Sequence, residues 1–192
     1  MAQTAFATSS MISHILLDIE GTTCPVSFVT NILFPYAKSE LTNFLERHQD
    51  NPSISQLVND AEAEWNDDKD KASISLRHDL EESKQPNYIK VGAYLQLLIS
   101  SDRKSTALKD IQGKIWRAGY TAGNISSELF EDADDNLKKW HSKGYKLAVY
   151  SSGSVEAQRL LYKYTSKGDI KNLFSHWFDT HIGNKKNQKS YT

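Results

Sequence analysis

The sequence predicts an α/β fold, with a Rossmann-like parallel sheet as its core and a block of helices inserted between the first two strands. Three observations support it. A short apolar run at residues 13–17 precedes acidic residues, residues 34–120 have helical apolar spacing, and from residue 126 helix and strand patterns alternate. Because such alternation is typical of parallel sheets with right-handed crossovers, we expect the helical block to be an insertion into one core.

The first predicted strand is followed by two carboxylates, Asp18 and Glu20. An uninterrupted apolar run is typical of a strand buried on both faces of a parallel sheet. Unpartnered burial of two acids would be costly, so we expect them at the carboxyl end of the strand, where α/β folds bind ligands. Residues i and i+2 of an extended chain project on one side, which suits a nucleophile with a proton donor, or a metal site. The alternative is a structural turn in which Glu20 is solvated.

Residues 34–120 predict amphipathic helices. Ser53 and Ser105 are candidate N-caps, and each is followed by apolar residues at helical spacing: Ile54, Leu57, Val58, Ala61 and Trp65 after the first, and Leu108, Ile111, Ile115 and Trp116 after the second. The highly charged residues 67–87 between these helices predict a solvated loop or a helix end. We interpret the Trp and Tyr positions as core packing rather than as a cofactor site.

The second and third predicted strands lie beyond residue 126. An amphipathic helix that ends at Gly144 carries Phe130, Ala133, Leu137 and Trp140. The strand at residues 145–150 continues into a serine-rich turn, where Ser154 is the candidate N-cap of the next helix. A third strand, near Trp177, ends at Asp179.

Two serines and a lysine are the binding candidates of these strand ends. Ser151 and Ser152 lie at a strand-to-helix junction, where hydroxyls, unpaired N–H groups and the helix dipole favour an anion. Lys185 follows the third strand, and its ammonium is a candidate for the same edge of the sheet. Lys186 and Lys189 are competing candidates for that role, and a solvated basic loop is the alternative.

An aspartate, a hydroxyl at a helix N-terminus and a lysine on successive strand ends suit phosphoryl transfer. Asp18 would attack phosphorus and form an aspartyl-phosphate. The serine hydroxyls, N–H groups and Lys185 would hold the phosphoryl oxygens and spread their charge. Glu20 would protonate the leaving alkoxide and then activate water. A magnesium ion would offset the repulsion between Asp18 and the phosphate.

Three short motifs resemble those of haloacid-dehalogenase-type phosphatases, namely Asp18-Ile19-Glu20-Gly21-Thr22, Ser151-Ser152-Gly153 and Lys185. Longer segments are similar, more narrowly, to the enolase-phosphatases of methionine salvage, which have a glutamate in place of the usual second aspartate. These segments are residues 17–23, 102–109, 112–117, 150–158 and 179–185, so the resemblance covers essentially residues 12–192.

The resemblance implies a dual reaction on 2,3-diketo-5-methylthiopentyl-1-phosphate, its enolisation followed by loss of phosphate to give the acireductone. It selects Lys185 over its neighbours, and it makes residues 26–125 a helical cap over an α/β core formed by residues 12–25 and 126–192. It also implies one Mg²⁺ per chain, held by Asp18, the backbone carbonyl of Glu20 and a further aspartate.

One feature of the family is not found in this sequence. The family continues past Thr192 with a helix and a strand that ends in acidic residues. We therefore expect the last strand or strands of the core to be missing, little activity from this chain, and a metal site short of one ligand unless another acid, such as Asp179, replaces it. Three origins of the missing segment stay open: the sequence is a fragment, a truncated gene model or a shortened natural variant.

Two other functions stay open. One is a different phosphatase of the same superfamily, and the other is a truncated, catalytically inactive domain that binds phosphorylated metabolites or a partner. Magnesium-dependent turnover of a phosphomonoester would separate an enzyme from a binding domain.

Composition excludes several other classes. With 23 basic and 24 acidic residues, a net charge of −1 and no basic patch interleaved with aromatic residues, nucleic-acid or anionic-membrane binding is not expected. The single cysteine, Cys24, excludes an intrachain disulfide and fits a reducing compartment. Residues 1–11 lack the features of a targeting signal, and no stretch is long and apolar enough to span a bilayer. We expect a cytoplasmic protein, monomeric when complete, that acts on a small phosphorylated substrate.

Overall fold

The structure is a computed structural model that describes residues 12–191; the segment considered above for a targeting signal lies outside the described residues. The chain forms two compact units. An α/β unit comprises residues 12–26 and 127–191, and a helical unit comprises residues 27–126. The helical unit is therefore an insertion in the sequence of the α/β unit.

The α/β unit contains a three-stranded parallel sheet in the order β1-β2-β3, which confirms the predicted fold class. The strands are β1 (His14–Leu17), β2 (Lys146–Tyr150) and β3 (Phe174–Phe178). Leu17 is paired with Val149, and Tyr150 with Phe178, so the carboxyl ends of all three strands lie at one edge of the sheet. The residues that follow each strand are brought together at that edge.

The prediction that β1 is buried on both faces is wrong. His14 is exposed and Leu16 is 46% exposed, while Ile15 and Leu17 are half-buried. The physical reason is position: in the described part of the chain β1 pairs only with β2, at the edge of the sheet. The apolar run predicted the strand correctly, but three or four residues cannot distinguish a central strand from an edge strand.

In the α/β unit, one helix ends and the next begins as the sequence predicts. The helix α7 (Glu131–Ser142) has three acids in its first turn and is followed by Gly144, whose φ of +86° is a conformation that glycine adopts easily. The helix α8 (Val155–Lys163) has Ser154 as its N-cap, and the side chain of Ser154 accepts a hydrogen bond from the N–H of Ala157 at 3.3 Å. Short 3₁₀ turns cover Lys171–Leu173, Thr180–Ile182 and Gln188–Tyr191.

A buried hydrogen bond anchors the segment that follows β1. The hydroxyls of Thr23 and Tyr162 lie 2.6 Å apart, and both residues are buried. The backbone carbonyl of Thr23 also accepts from the N–H of Phe130 at 3.0 Å. Cys24 is buried beside them, and burial, with the nearby charge of Glu20, raises the pKa of its thiol to about 12. This thiol is therefore not poised as a nucleophile.

The helical unit contains α2 (Phe34–Arg47), α3 (Pro52–Asp67), α4 (Lys71–Glu81), α5 (Asn87–Ser100) and α6 (Thr106–Thr121). A short helix α1 (Val26–Phe28) and a π-helix (Val29–Leu33) precede them. The core is formed by apolar side chains of α2, α3, α5 and α6, among them Leu41, Ile54, Leu95 and Ile111. No helix within residues 12–191 is long and apolar enough to cross a membrane.

The π-helix has a local cause in Pro35. Pro35 has no N–H to donate to the carbonyl of Asn31, so the α-helical hydrogen-bond pattern is interrupted at this position. The N–H of the preceding residue, Phe34, donates to the carbonyl of Val29, five residues back, which is the π-helical pattern. The indole Nε1 of Trp116 donates to the carbonyl of Leu33 at 2.8 Å, which stabilises the end of this turn.

Two expectations for the helical unit need correction. Residues 67–87 are not a solvated loop, because Lys71–Glu81 form α4 with Asp70 as N-cap, whose side chain accepts from the N–H groups of Ala72 and Ser73. The N-cap of α3 is Asn51 rather than Ser53: its side chain accepts from the N–H of Ser53 at 3.0 Å, and Pro52 occupies the first helical position. The N-cap role of Ser105 is confirmed.

Arg103, in the segment before α6, forms an ion pair with Asp68 at the end of α3 and a hydrogen bond with Ser73 of α4. The guanidinium of Arg103 donates to both carboxylate oxygens of Asp68, at 2.8 and 2.7 Å, and to the hydroxyl of Ser73 at 2.8 Å. Tyr94 donates to Asp68 at 3.2 Å. Burial opposes ionisation of Asp68, but its hydrogen bonds with the Asp70 N–H, Ser73 and Arg103 outweigh that effect and lower its pKa to about 2. The segment containing Arg103 therefore has a structural role in the helical unit.

Candidate active site

The carboxyl edge of the sheet brings together the sequence-predicted residues of the α/β unit. Asp18 and Glu20 follow β1, Ser151 and Ser152 follow β2, and Lys185 lies in the segment after β3. Contacts are present within two pairs of them, Asp18 with Lys185 and Glu20 with Ser151. Ser152 makes no side-chain hydrogen bond in the described part of the chain, and its side chain is exposed.

Asp18 and Lys185 form an ion pair in which the ammonium Nζ contacts Oδ2 of the carboxylate. Their side chains are 38% and 32% exposed, so the pair is accessible from solvent. The other oxygen of Asp18, Oδ1, accepts from the N–H of Ile19 at 2.8 Å, which fixes the carboxylate close to the backbone. A negatively charged oxygen is thus held at the strand end next to the ammonium of Lys185.

A tight turn after β1 presents the backbone of Glu20. The carbonyl of Ile19 accepts from the N–H groups of Thr22, Thr23 and Cys24, and the N–H of Gly21 donates to the carbonyl of Cys24 at 2.8 Å. Gly21 has φ +77°, a conformation that residues with a Cβ rarely adopt. The carbonyl oxygen of Glu20 accepts no hydrogen bond from any described residue, so this oxygen is available to a ligand.

Ser151 holds the side chain of Glu20. Its hydroxyl lies 3.2 Å from Oε2 and 3.4 Å from Oε1 of Glu20 and donates to this carboxylate. Ser151 is 0% exposed and its hydroxyl also accepts from the N–H of Gly153 at 3.2 Å. The hydroxyl of Ser151 therefore already donates one hydrogen bond and accepts another within the protein.

At the N-terminus of α8, two N–H groups are unpaired within the described part of the chain. The N–H of Gly153 donates to Ser151, and that of Val155 donates to Asp179 at 3.2 Å. The N–H groups of Ser152 and Ser154 have no acceptor among the described residues. Together with the helix dipole, two such donors favour binding of an anion at this loop.

The segment after β3 places Lys185, and not its neighbours, beside Asp18. The hydroxyl of Tyr150 donates to the carbonyl of Gly183 at 2.9 Å, and that of Tyr191 donates to the carbonyl of Lys185 at 2.9 Å. These two bonds hold the backbone on either side of the lysine. The side chains of Lys186 and Lys189 are exposed.

The donor atoms at this edge fit a magnesium ion. A carboxylate oxygen of Asp18 and the carbonyl oxygen of Glu20 are the hard ligands that Mg²⁺ prefers, and Mg²⁺ usually keeps several waters beside one or two carboxylates and substrate phosphate. Residues 12–191 contain no group of three or more His, Cys, Asp or Glu side chains placed to hold a metal. Both carboxylate oxygens of Asp179 accept hydrogen bonds within the protein.

Sequence reasoning gave no role to two residues beside the site, Tyr150 and Gln158, and it considered a third, Asp179, only as a possible metal ligand. Gln158 is 1% exposed, although it lies on a helix whose other buried residues, Leu160, Leu161 and Tyr162, predict an apolar face. A glutamine at a core-facing position is the signal that could have identified it, because buried amides need hydrogen-bond partners.

No family model matches the chain. Individual proteins are nevertheless similar to this chain, and the similarity covers most of each relative's length. It is 73% identical over 182 residues to enolase-phosphatase E1 of Synechococcus sp. (strain CC9902), covering 95% of this chain and 74% of that protein. It is 51% identical over 181 residues to enolase-phosphatase E1 of Parasynechococcus marenigrum (strain WH8102), covering 94% of this chain and 74% of that protein. Among solved structures, the UTR4 protein of Saccharomyces cerevisiae is similar with a TM-score of 0.63 and 30% identity, over 94% of this chain and 73% of that one.

Proposed function

Because this chain belongs to the enolase-phosphatase E1 family, we propose that the carboxyl edge of its sheet is the phosphatase centre, with Asp18 as the nucleophile. The proposed substrate is 2,3-diketo-5-methylthiopentyl-1-phosphate of methionine salvage. It is enolised first and then loses its phosphate through an aspartyl-phosphate, giving the acireductone. The helical unit is the proposed cap of this enzyme.

The pairing of Asp18 with Lys185 is the single observation that carries the proposal. A carboxylate that attacks phosphorus must meet a negatively charged group, so it needs a neighbouring cation to offset the repulsion. When the phosphoryl group enters, the ammonium of Lys185 can turn from Asp18 to the phosphoryl oxygens, where negative charge accumulates. Asp18 is then released as the attacking group.

Glu20 is the proposed general acid and base. Its carboxylate follows Asp18 by two residues, and the hydroxyl of Ser151 holds it at 3.2 Å. In the first step it donates a proton to the leaving alkoxide, and in the second it accepts one from the water that hydrolyses the aspartyl-phosphate. The hydrogen bond from Ser151 keeps the carboxylate in one orientation for both steps.

The phosphoryl group is proposed to bind at the N-terminus of α8. The unpaired N–H groups of Ser152 and Ser154, and the exposed hydroxyl of Ser152, are the donors for its oxygens. Ser151 acts indirectly: its hydroxyl donates to the carboxylate of Glu20 and accepts from the N–H of Gly153, which fixes the backbone of the loop. This division separates the two serines, which the sequence motif alone treats as equivalent.

One Mg²⁺ per chain is the proposed cofactor, and the residues that would hold it are Asp18 and the carbonyl of Glu20. When bound, it would offset charge between the phosphate and Asp18. The N–H of Ile19 orients the carboxylate of Asp18 by donating to its Oδ1 at 2.8 Å.

Trapping the phosphoenzyme tests this assignment. The chain is incubated with magnesium and a labelled phosphomonoester, quenched in acid and mapped by mass spectrometry. We expect the phosphate on the peptide that contains Asp18, no label in Asp18→Asn, and a larger labelled fraction in Glu20→Gln, which should hydrolyse the intermediate slowly. Phosphate on any other residue would overturn the assignment of the nucleophile.

A further inference from the structure

Gln158 and Asp179 are buried polar side chains beside the site with no part in the proposed chemistry. Gln158 is 1% exposed and Asp179 is 7% exposed. Burial of a polar side chain is unfavourable unless its hydrogen bonds are made within the protein. The partners of these two side chains therefore indicate what they contribute.

Gln158 joins two loops through one nitrogen atom. Its Nε2 donates to the carbonyl of Gly153 at 2.8 Å and to the carbonyl of Phe178 at 2.8 Å. Gly153 belongs to the phosphate-binding loop (residues 151–154), and Phe178 begins the lysine loop (residues 178–185). An amide nitrogen has two hydrogens, and each one is directed to a different loop. Oε1 of Gln158 has no partner among the described residues, so Nε2 makes all of the connection.

Asp179, in the lysine loop, makes a second connection, to the residue that directly follows the phosphate-binding loop. Its Oδ2 accepts from the N–H of Val155, the first residue of α8, at 3.2 Å. Its Oδ1 accepts from the N–H and from Nδ1 of His181, at 2.9 and 2.7 Å. Burial opposes ionisation of Asp179, but the hydrogen bonds from His181 and Val155 outweigh it and hold its pKa below the ordinary value. The connection is therefore made by a carboxylate, which accepts more strongly than a neutral group.

The lysine loop is also attached to the end of β2. The hydroxyl of Tyr150 donates to the carbonyl of Gly183 at 2.9 Å, and Nζ of Lys185 lies 6.0 Å from the centre of the Tyr150 ring. Tyr150 itself is 2% exposed. With Gln158 and Asp179 near the start of the loop and Tyr150 near its end, the backbone path to Lys185 is held at both ends.

We propose that Gln158 and Asp179 are positioning residues for phosphoryl transfer, which set the spacing between the phosphate-binding loop and Lys185. The proposal rests on the proposed function above. Neither side chain touches the reacting atoms; both act through Lys185 and through the N–H groups of Ser152 and Ser154. A displacement of about 1 Å at a distance from the chemistry can lower the rate about 100-fold, so loosening these bonds affects turnover more than folding.

A double-mutant cycle separates positioning from stability. Gln158→Met keeps the volume and removes both donors, and we expect kcat to fall about tenfold with a smaller change in KM. In a Lys185→Ala background the same substitution should change kcat less than twofold, because its effect passes through the lysine. Additive effects in the cycle would overturn the proposal.

Thr165→Val is the matched control. It removes a buried hydroxyl of the same unit, which donates to the carbonyl of Gly168 at 2.6 Å and touches neither loop. We expect it to lower the unfolding midpoint with kcat unchanged. An equal loss of kcat in Thr165→Val and Gln158→Met would show that general loosening of the unit, and not loop spacing, sets the rate.

Lysine labelling supplies a readout that does not depend on activity. An amine-selective acylating reagent, followed by peptide mapping, should label the paired Lys185 more slowly than the exposed Lys186. We expect this difference to disappear in Gln158→Met and in Asp179→Asn and to persist in Thr165→Val. A difference that persists in both loop variants would overturn the positioning proposal. A wild-type chain that shows the difference but forms no phosphoenzyme would overturn the proposed function while leaving the loop spacing intact.

Discussion

Two ion pairs of this chain use similar groups in different surroundings. In the helical unit, Arg103 binds Asp68 through two hydrogen bonds, and Ser73 and Tyr94 complete the cluster. In the α/β unit, Lys185 contacts one oxygen of Asp18, whose other oxygen accepts from the backbone. Asp68 has 7% of its side chain exposed and Asp18 has 38%.

The two ion pairs differ in whether polar groups without hydrogen-bond partners lie next to them. Asp68 is surrounded by donors that lower its pKa to about 2, so the cluster is closed and further ligands have no place in it. Beside Asp18, the carbonyl of Glu20 and the N–H groups of Ser152 and Ser154 have no partners in the described part of the chain. A closed ion pair stabilises a fold, whereas an accessible pair surrounded by unpaired polar groups suits a bound phosphate.

The largest expected effect is the loss of turnover in Asp18→Asn. The amide keeps the shape of the carboxylate but is a poor nucleophile, so we expect phosphatase activity to fall at least about 10³-fold. The thermal midpoint should change little, because a half-exposed ion pair contributes little stability. Steady-state phosphate release and a thermal melt measure the two quantities. Comparable turnover in the variant would show that Asp18, like Asp68, has a structural role and is not the nucleophile.

Lys185→Ala is expected to lower kcat about 10²–10³-fold, since it removes the cation that faces the phosphoryl oxygens. Lys186→Ala and Lys189→Ala, which lie just beyond the lysine loop, are the matched controls, and both should stay within about threefold of the parent chain. The comparison is made with one substrate at saturating magnesium. If Lys186→Ala is the most damaging of the three, the assigned register of the lysine loop is wrong.

Glu20→Gln is expected to lower kcat roughly 10²-fold, the scale of general acid catalysis. The variant keeps the backbone carbonyl and can still accept from Ser151, so magnesium affinity measured by calorimetry should be nearly unchanged. Retention of a near-normal rate would reduce Glu20 to a spacer whose carbonyl binds the metal.

Asp68→Asn tests the other ion pair of the comparison. It leaves Arg103 without its carboxylate, and we expect the free energy of unfolding of the helical unit to fall by about 2 kcal/mol, less than for a fully buried pair because the guanidinium is partly solvated. Urea titration followed by circular dichroism measures the change. Asp60→Asn, an exposed substitution on α3, is the control. Equal stability of both variants would remove the structural role assigned to Arg103.

The smallest expected effect is a pH dependence of the stability that the Asp68–Arg103 cluster contributes. The pKa of Asp68 is lowered from 3.8 to about 2, so its stabilising contribution is complete above pH 3.8 and is lost as the pH falls towards 2. The urea midpoint should therefore fall over this range by more in the parent chain than in Asp68→Asn. Parallel pH curves for the two proteins would contradict the assignment.

The strand ends could be predicted from the sequence because each ends abruptly in polar residues. The apolar run before Asp18 and the Ser-Ser-Gly turn after Tyr150 are local signals, and parallel topology then places them at one edge. The contact of Asp18 with Lys185 follows from the same logic, although three lysines after β3 were candidates.

Apart from the N-cap of α3, which is a local feature, the corrections concern features that depend on tertiary contacts. The helix α4 has few apolar side chains, and its small buried residue, Ser73, is satisfied by Arg103 from a distant segment. The exposure of β1 depends on which strands pair with it, and the role of Gln158 depends on two carbonyls from separate loops. Periodicity within a window of residues contains none of this information.

The π-helix also has a consequence for how the gene can change. A π-turn holds one residue more than an α-helical turn, so the segment Val29–Leu33 amounts to a one-residue insertion tolerated within a continuous helix. Deleting one residue there would restore α-helical spacing and rotate the preceding side chains by about 100° around the helix axis relative to those of α2. Substitutions at exposed positions such as Ile32 should therefore be tolerated in this segment far more readily than any change in its length.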